Sequence, residues 1–283
     1  MIKIGLTGWG DHSDLYVSTA KDRLQDYSAH FPVVELDTSF YAIPSLKNST
    51  KWVKETPDNF QFVVKAYQEI TGHLRGESHY ESADDMFERY RESIQPFQEA
   101  GKLAMVLVQF PPWFTCIKEN VENLLRVREE LKGFELAIEF RHQSWYPTKH
   151  QEGTLNFLKN HHLHHTVCDE PQVGEGSVPL IPVATSDKVL VRLHGRNTYG
   201  WINPGNNEKW REVRYLYDYN KEELTQIQQY VEQLHKQAKE VVVLFNNNSG
   251  GHAAKNAKTF QQMLGIEFEG LAPKQLDLFE GGI

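Results

Sequence analysis

Eight short apolar runs, separated by longer amphipathic stretches, constrain this chain more than any other feature of its sequence. They cover residues 2–6, 33–37, 60–65, 103–110, 134–139, 164–168, 189–194 and 241–245. Most are dense in Val, Ile, Leu and Phe, as strands covered on both faces must be. Helical stripes lie between them. Residues 119–131 space Val121, Leu124, Leu125 and Val127 along one face, and 222–239 do the same with Leu224, Ile227, Val231 and Leu234. Residues 83–97 and 252–264 read the same way, the latter through Ala253, Ala257, Phe260 and Met263. Strand and helix alternating at this pitch make parallel βα units, and eight of them predict one closed (β/α)8 TIM barrel over residues 1–264. A doubly wound sheet competes, but no Gly-x-Gly-x-x-Gly follows the first run and no Gly-x-x-x-x-Gly-Lys-Ser/Thr occurs. Residues 265–283 have no period and read as a tail.

A hydrophobic fraction of 40% in 283 residues supplies the core that such a barrel needs. No run approaches the ~18 apolar residues of a membrane span. Met1 leads straight into a strand pattern with no signal-peptide character, and the two cysteines, Cys116 and Cys168, fit a reducing compartment. A cytoplasmic location is therefore expected. The net charge of −8 argues against a protein that coats nucleic acid through its whole surface.

Function is sought where ionisable residues interrupt or end the apolar runs, because charge in a buried strand is costly unless it is paired or used. Glu35 and Asp37 close the second run and Lys65 the third. Glu139, Arg141 and His142 follow one another at the fifth, and Asp169 follows the sixth. Arg192, His194 and Arg196 mark the seventh, and Asn246 and Asn247 the eighth. Alternation puts Glu35 with Asp37, Glu139 with Arg141, and Arg192 with His194 on common strand faces. The long connections 66–81, 169–188 and 195–220 all follow strands, so they rise from the carboxyl-end face, where barrel active sites are built. The histidines 161, 162, 164 and 165 lead into the sixth run at its amino end and so belong to the opposite end of the barrel, as solvated imidazoles at a helix exit. Cys168 reads as a small core residue.

Several segments together resemble the DUF72 family of bacterial barrel proteins. They are Gly5-Leu6-Thr7-Gly8-Trp9, Val34 to Tyr41 with Pro44, Phe62 to Ala66 ahead of Ile70-Thr71-Gly72-His73, Gln109-Phe110-Pro111-Pro112, Glu139 to His142 with Ser144-Trp145, Val191 to Arg196, and Phe245-Asn246-Asn247 with Gly251, Ala254 and Asn256-Ala257. The resemblance implies the barrel fold and no particular activity, substrate or cofactor. Asp37 stands where members of that family often carry Asn.

From the residues themselves, Lys65, Arg141 and Arg192 read as a clamp for an anionic group, since guanidinium forks suit phosphate and carboxylate. Glu139 and His194 read as the proton-transfer pair, with Glu35 and Asp169 beside them. The favoured function is an enzyme, a hydrolase or isomerase, acting on an anionic, phosphate-bearing or nucleic-acid-related substrate, with no cofactor favoured. A divalent-metal variant would use Glu35, Glu139, Asp169 and His194 as ligands. A non-catalytic nucleotide or nucleic-acid binder would instead stack bases on Trp9, Tyr41, Trp113, Trp145 and Tyr199. In the tail, Gln275-Leu276-Asp277-Leu278-Phe279 resembles the peptide with which bacterial replication and repair proteins dock onto the sliding clamp, through Gln275, Leu276, Leu278 and Phe279. The competing reading packs the same leucines and phenylalanine back onto the barrel.

Overall fold

The computed structural model describes residues 1–16, 23–202 and 213–273. Eight parallel strands close into a barrel in chain order: β1 (Ile2–Thr7), β2 (Val33–Leu36), β3 (Gln61–Lys65), β4 (Leu103–Gln109), β5 (Leu136–Glu139), β6 (His164–Asp169), β7 (Lys188–Leu193) and β8 (Glu240–Phe245), with β8 pairing back onto β1. The described helices are α1 (Arg23–Ser28), α2 (Leu46–Lys54), α3 (Ala83–Glu99), α4 (Lys118–Glu130), α5 (Gln151–Asn160), α6 (Thr198–Trp201), α7 (Lys221–His235) and α8 (His252–Met263). Local chemistry starts them where they start. Ser45 and Ser82 accept hydrogen bonds from the first turns of α2 and α3. Asn220 and Glu223 form a reciprocal capping box on α7. No described helix is long and apolar enough to cross a membrane.

The barrel interior is layered. At the strand starts Lys3 Nζ donates to Gln61 Oε1 at 2.5 Å and to Glu240 Oε2 at 3.0 Å, a polar plug. Above it lies an apolar layer that includes Val33, Val63, Met105, Ala137, Leu190 and Val242. Gly5 belongs to this region because a Cβ there would stand 2.1 Å from the carbonyl oxygen of Val33, its register partner on β2. A second and larger apolar core fills the space between strands and helices. Apart from Thr166, in register with Leu190, the described polar residues of the interior return at the carboxyl ends of the strands.

Two expectations change at the strand-start end. His164 and His165 open β6 and are buried, at 4% and 2% exposed, rather than solvated. His165 lies 2.8 Å from the Val183 carbonyl and 3.1 Å from the Tyr146 hydroxyl, and His164 Nε2 lies 2.5 Å from Glu135. The segment from residue 265, expected as an unpatterned tail, also contacts the barrel as far as residue 272. Phe268 packs on the core, Asn59 Nδ2 donates to the Glu269 carbonyl at 2.8 Å, and the Ala272 amide donates to Ser28 at 3.1 Å. The sliding-clamp-like residues Gln275, Leu276, Leu278 and Phe279 lie outside the described residues.

Candidate active site

Strand alternation brings Glu35, Glu139, Arg192 and His194 into the barrel axis above the apolar layer, where they form a network with almost no solvent contact. Glu35, Glu139 and His194 are 0% exposed and Arg192 is 1% exposed. The Arg192 guanidinium grips Glu35 with two bonds, from Nε to Oε2 at 2.9 Å and from Nη2 to Oε1 at 2.7 Å, and reaches Glu139 Oε2 from Nη1 at 2.7 Å. Glu139 Oε1 accepts from Gln109 Nε2 at 2.5 Å and from Arg141 Nη1 at 3.3 Å, and His194 Nε2 faces it at 3.3 Å. On its other side His194 Nδ1 lies 2.8 Å from the Asn246 amide nitrogen. With that amide donating, the ring proton is on Nε2, on the side facing Glu139 but short of hydrogen-bond geometry. Arg141 Nη2 continues the chain to Glu170 Oε2 at 3.3 Å.

This saturation bears on the proton-transfer pair expected from sequence. Burial alone would raise the Glu139 carboxyl, but the Arg192 and Arg141 charges outweigh it and hold the group well below the ordinary glutamate range. A carboxylate so stabilised is a weak base, and its oxygens are already occupied. Burial pushes His194 down to about 3, with Arg192 adding to the effect, so the imidazole is neutral at physiological pH. Glu139, His194 and Glu35 form a buried floor beneath the barrel mouth. Asp169 stands apart from that floor. It follows inward-facing Cys168 and so points outward, where it takes three bonds of 2.7–3.0 Å from Arg196 and one of 2.7 Å from the Tyr219 hydroxyl.

The metal set changes accordingly. Among the described residues, the group close enough to share an ion is Glu139, Cys168 and His194, with ligand atoms within 4.8 Å of one another. Cys168 takes the place expected for Asp169. An ion there would compete with Arg192 and Arg141 for the same carboxylate, so the donor set fits a divalent cation poorly.

Above the floor the residues become accessible. Lys65 is half-buried, with Nζ 4.4 Å from the Phe40 ring centre. Among the described residues it has no carboxylate within 4.0 Å. Burial lowers its pKa and the charge of Arg192 lowers it further. Phe40 packs edge-on to His73 at 5.0 Å, and His73 to Trp113 at 5.7 Å, which extends a wall from Lys65 to the loop after β4. Half-buried Asp37 is pushed up to about 6 by burial and by Glu35.

Sequence reading missed two members of this mouth, Arg214 and Tyr215. The Arg214 guanidinium lies 4.0 Å over the Trp201 ring, which Arg141 also approaches at 4.7 Å. Burial would raise the Tyr215 phenol, yet Arg214, Arg141, Lys65 and Arg192 together bring it below an ordinary tyrosine. Their only sequence signal is their place on the long connection after β7. Gln109 and Glu170, also missed, could have been found by extending the period-two rule along β4 and past Cys168.

Other residues expected at the site serve the frame. Trp145 is 2% exposed and stacks on Phe140 at 3.9 Å, so it offers no face to a ligand. Asn247 is fully buried and donates to the Tyr217 carbonyl and to Asn256 Oδ1, both at 2.8 Å. His142 accepts from the Ser144 amide at 3.1 Å as the cap of a short turn. Trp9 packs edge-on to Trp52 at 5.5 Å. Tyr41 is exposed at the rim.

Glu170 gives a pH-dependent expectation. It is 4% exposed, and burial raises its carboxyl to about 7 despite Arg141 and the 2.6 Å bond from the Val178 amide. A raised carboxyl binds its proton more tightly in the folded state, so its stabilisation is present at low pH and lost as pH rises through the folded value. Between pH 4.5 and 7.5 the stability of the wild type relative to Glu170→Gln should fall by about 2–3 kcal/mol. Urea melts across that range measure it, and a difference that does not vary with pH would contradict the assignment.

The profile described as "Protein of unknown function DUF72" matches residues 3–277. The chain is 54% identical to the UPF0759 protein YunF of Bacillus subtilis (strain 168) over 282 residues, covering 99% of this chain and 100% of that one. It is 27% identical to the UPF0759 protein YecE of Escherichia coli (strain K12) over 212 residues, 69% of this chain and 74% of that one. Among solved structures, a DUF72 family protein of Enterococcus faecalis V583 superposes with a TM-score of 0.91 at 40% identity, covering 98% of this chain and 100% of that one. A DUF72 family protein of Thermotoga maritima MSB8 gives 0.78 at 33% identity, covering 94% and 100%.

Proposed function

The chain belongs to the DUF72 family, a membership that carries the barrel and names no reaction, and from its own geometry we propose that it is an enzyme acting on a small anionic substrate at the barrel mouth. One observation carries the reading. The floor sets Arg192 and Arg141 against Glu35 and Glu139, while Lys65 stands above it with an aromatic ring beneath its ammonium and, among the described residues, no carboxylate within 4.0 Å. An unpaired ammonium over a rigid, internally neutralised floor favours a phosphate or carboxylate as the missing counter-charge. Of the three-residue clamp read from sequence, this leaves Lys65 as the primary anion contact. Arg141 and Arg192 support it from below.

Catalysis rather than simple binding is favoured by the titratable groups around that point. Asp37 at about 6 and Tyr215 below the usual tyrosine range both exchange protons more readily near neutrality than ordinary aspartate or tyrosine. Of the aromatics in the base-stacking alternative, Trp145 is buried in a stack, while Tyr41, Trp113 and Tyr199 are exposed.

The test is an unbiased depletion assay. Purified protein is incubated with a mixture of phosphate- and carboxylate-bearing metabolites and followed by mass spectrometry. At least one anionic metabolite should be consumed by the wild type and spared by Lys65→Met. Depletion of none, or equal depletion by both proteins, would overturn the proposal.

A further inference from the structure

The register of β2 with β3 pairs Leu36 with Val64, so a ladder continued by one residue would set Asp37 opposite Lys65 across ~4.8 Å of sheet. Opposite charges in that position ordinarily close an ion pair. These do not: among the described residues, neither side chain has a partner within ion-pair distance. The backbone explains the separation. At Asp37 the chain leaves the extended strand for a helical conformation, φ −82° and ψ −25°, and enters the short turn Thr38–Phe40. That turn delivers the Phe40 ring to Lys65, and the ammonium rests on the ring. Asp37 is left beside Gly8, where a Cβ would stand 3.2 Å from its Oδ1, so the missing side chain keeps one edge of the carboxylate clear. The charged groups that bear on Asp37 are Glu35 on its own strand, Lys65 on β3 and Asp11 from the loop after β1.

Two opposite charges held apart by packing at a solvent-accessible mouth form a preorganised slot, because a ligand inserting between them pays no cost to break a pair. We propose that Asp37 and Lys65 act as a split pair that reads two neighbouring groups of one substrate, an anionic oxygen at Lys65 and, a few atoms along, a hydroxyl or ammonium that donates to Asp37. The substrate class is then a hydroxy- or amino-substituted phosphate, sulfonate or carboxylate rather than a bare oxyanion. The negative charges of Glu35 and Asp11 bias the second position further toward a donor, and toward a cationic one over a neutral one. This selectivity rests on the anion reading of Lys65.

Three sulfonates separate the two ideas, since the sulfonate group keeps one negative charge at every pH used. Ethanesulfonate carries the anion alone, 2-hydroxyethanesulfonate adds a hydroxyl, and 2-aminoethanesulfonate adds an ammonium. Binding to the full-length protein is measured by calorimetry or ligand-observed NMR at pH 7.5, where Asp37 is ionised. The wild type should prefer the hydroxy and amino compounds over ethanesulfonate by about tenfold or more, the scale of a satisfied charge-assisted hydrogen bond. Asp37→Asn, with folding checked by thermal melting, should reduce that preference to within about twofold and bind ethanesulfonate at least as well as the wild type does, because a repelling charge has gone. Equal affinity of the wild type for all three compounds, or a preference that survives Asp37→Asn, would overturn the split pair. If no compound binds, or if Lys65→Met binds ethanesulfonate as well as the wild type does, the anion reading fails and the split pair with it.

Discussion

Arg192→Ala should cost this protein about 3–5 kcal/mol and lower its Tm by on the order of 10 °C or more, with no ligand present. The reason is electrostatic. Glu35 and Glu139 are both 0% exposed, and both spend carboxylate oxygens on this one guanidinium. Removing it leaves two ionised groups in a medium that cannot solvate them, beside a cavity the size of an arginine. Lysine should rescue little, because one ammonium cannot replace a fork whose Nε, Nη1 and Nη2 are all engaged. Arg192→Met combined with Glu35→Gln and Glu139→Gln should recover much of the loss, since the expensive state is the unpaired charge. A variant that melts within 2 °C of the wild type would show that Arg192 is not the keystone of the floor (Tm shifts of that size correspond to roughly 1 kcal/mol or less).

Lys65→Met should do the opposite. Its ammonium makes no ion pair within 4.0 Å among the described residues and burial already disfavours its charge, so methionine of similar length should leave Tm unchanged or slightly raised. Binding of phosphate or of an anionic substrate should weaken by roughly 30-fold or more, the counterpart of about 2 kcal/mol for a desolvated charge contact. A stability loss with no change in anion binding would reverse the roles assigned to Lys65 and Arg192.

That division of labour was only half legible in the sequence. The eight runs and their closure were readable because buried parallel strands must be apolar on both faces, and every expected run overlaps a strand of the barrel. The polar face was readable for the same reason, since Glu35, Glu139, Arg192 and His194 break that rule at positions where period two points inward. Partnership was not. Glu35 and Arg192 are separated by 157 residues, and nothing local distinguishes an arginine saturated by two glutamates from one waiting for a ligand. The same limit made Trp145 look like a stacking platform and Asp169 a catalytic acid. Arg214 and Tyr215 were hidden differently, since they sit on a connection with no regular period and reach the mouth only through the path of that loop. His164 and His165 could not be read as buried, because their partners, Glu135, Val183 and Tyr146, come from three different segments.

The central claim is that an anion binds at the barrel mouth on Lys65, above a floor that is already neutral. Crystals soaked in tungstate, a dense tetrahedral oxyanion, test it directly through anomalous scattering. The account predicts a peak in the mouth with an oxygen within ~3 Å of Lys65 Nζ, and its loss in Lys65→Met crystals soaked in the same way. Tungstate bound only on the outer surface of the barrel, or bound in the mouth with equal occupancy in the Lys65→Met crystals, would contradict it.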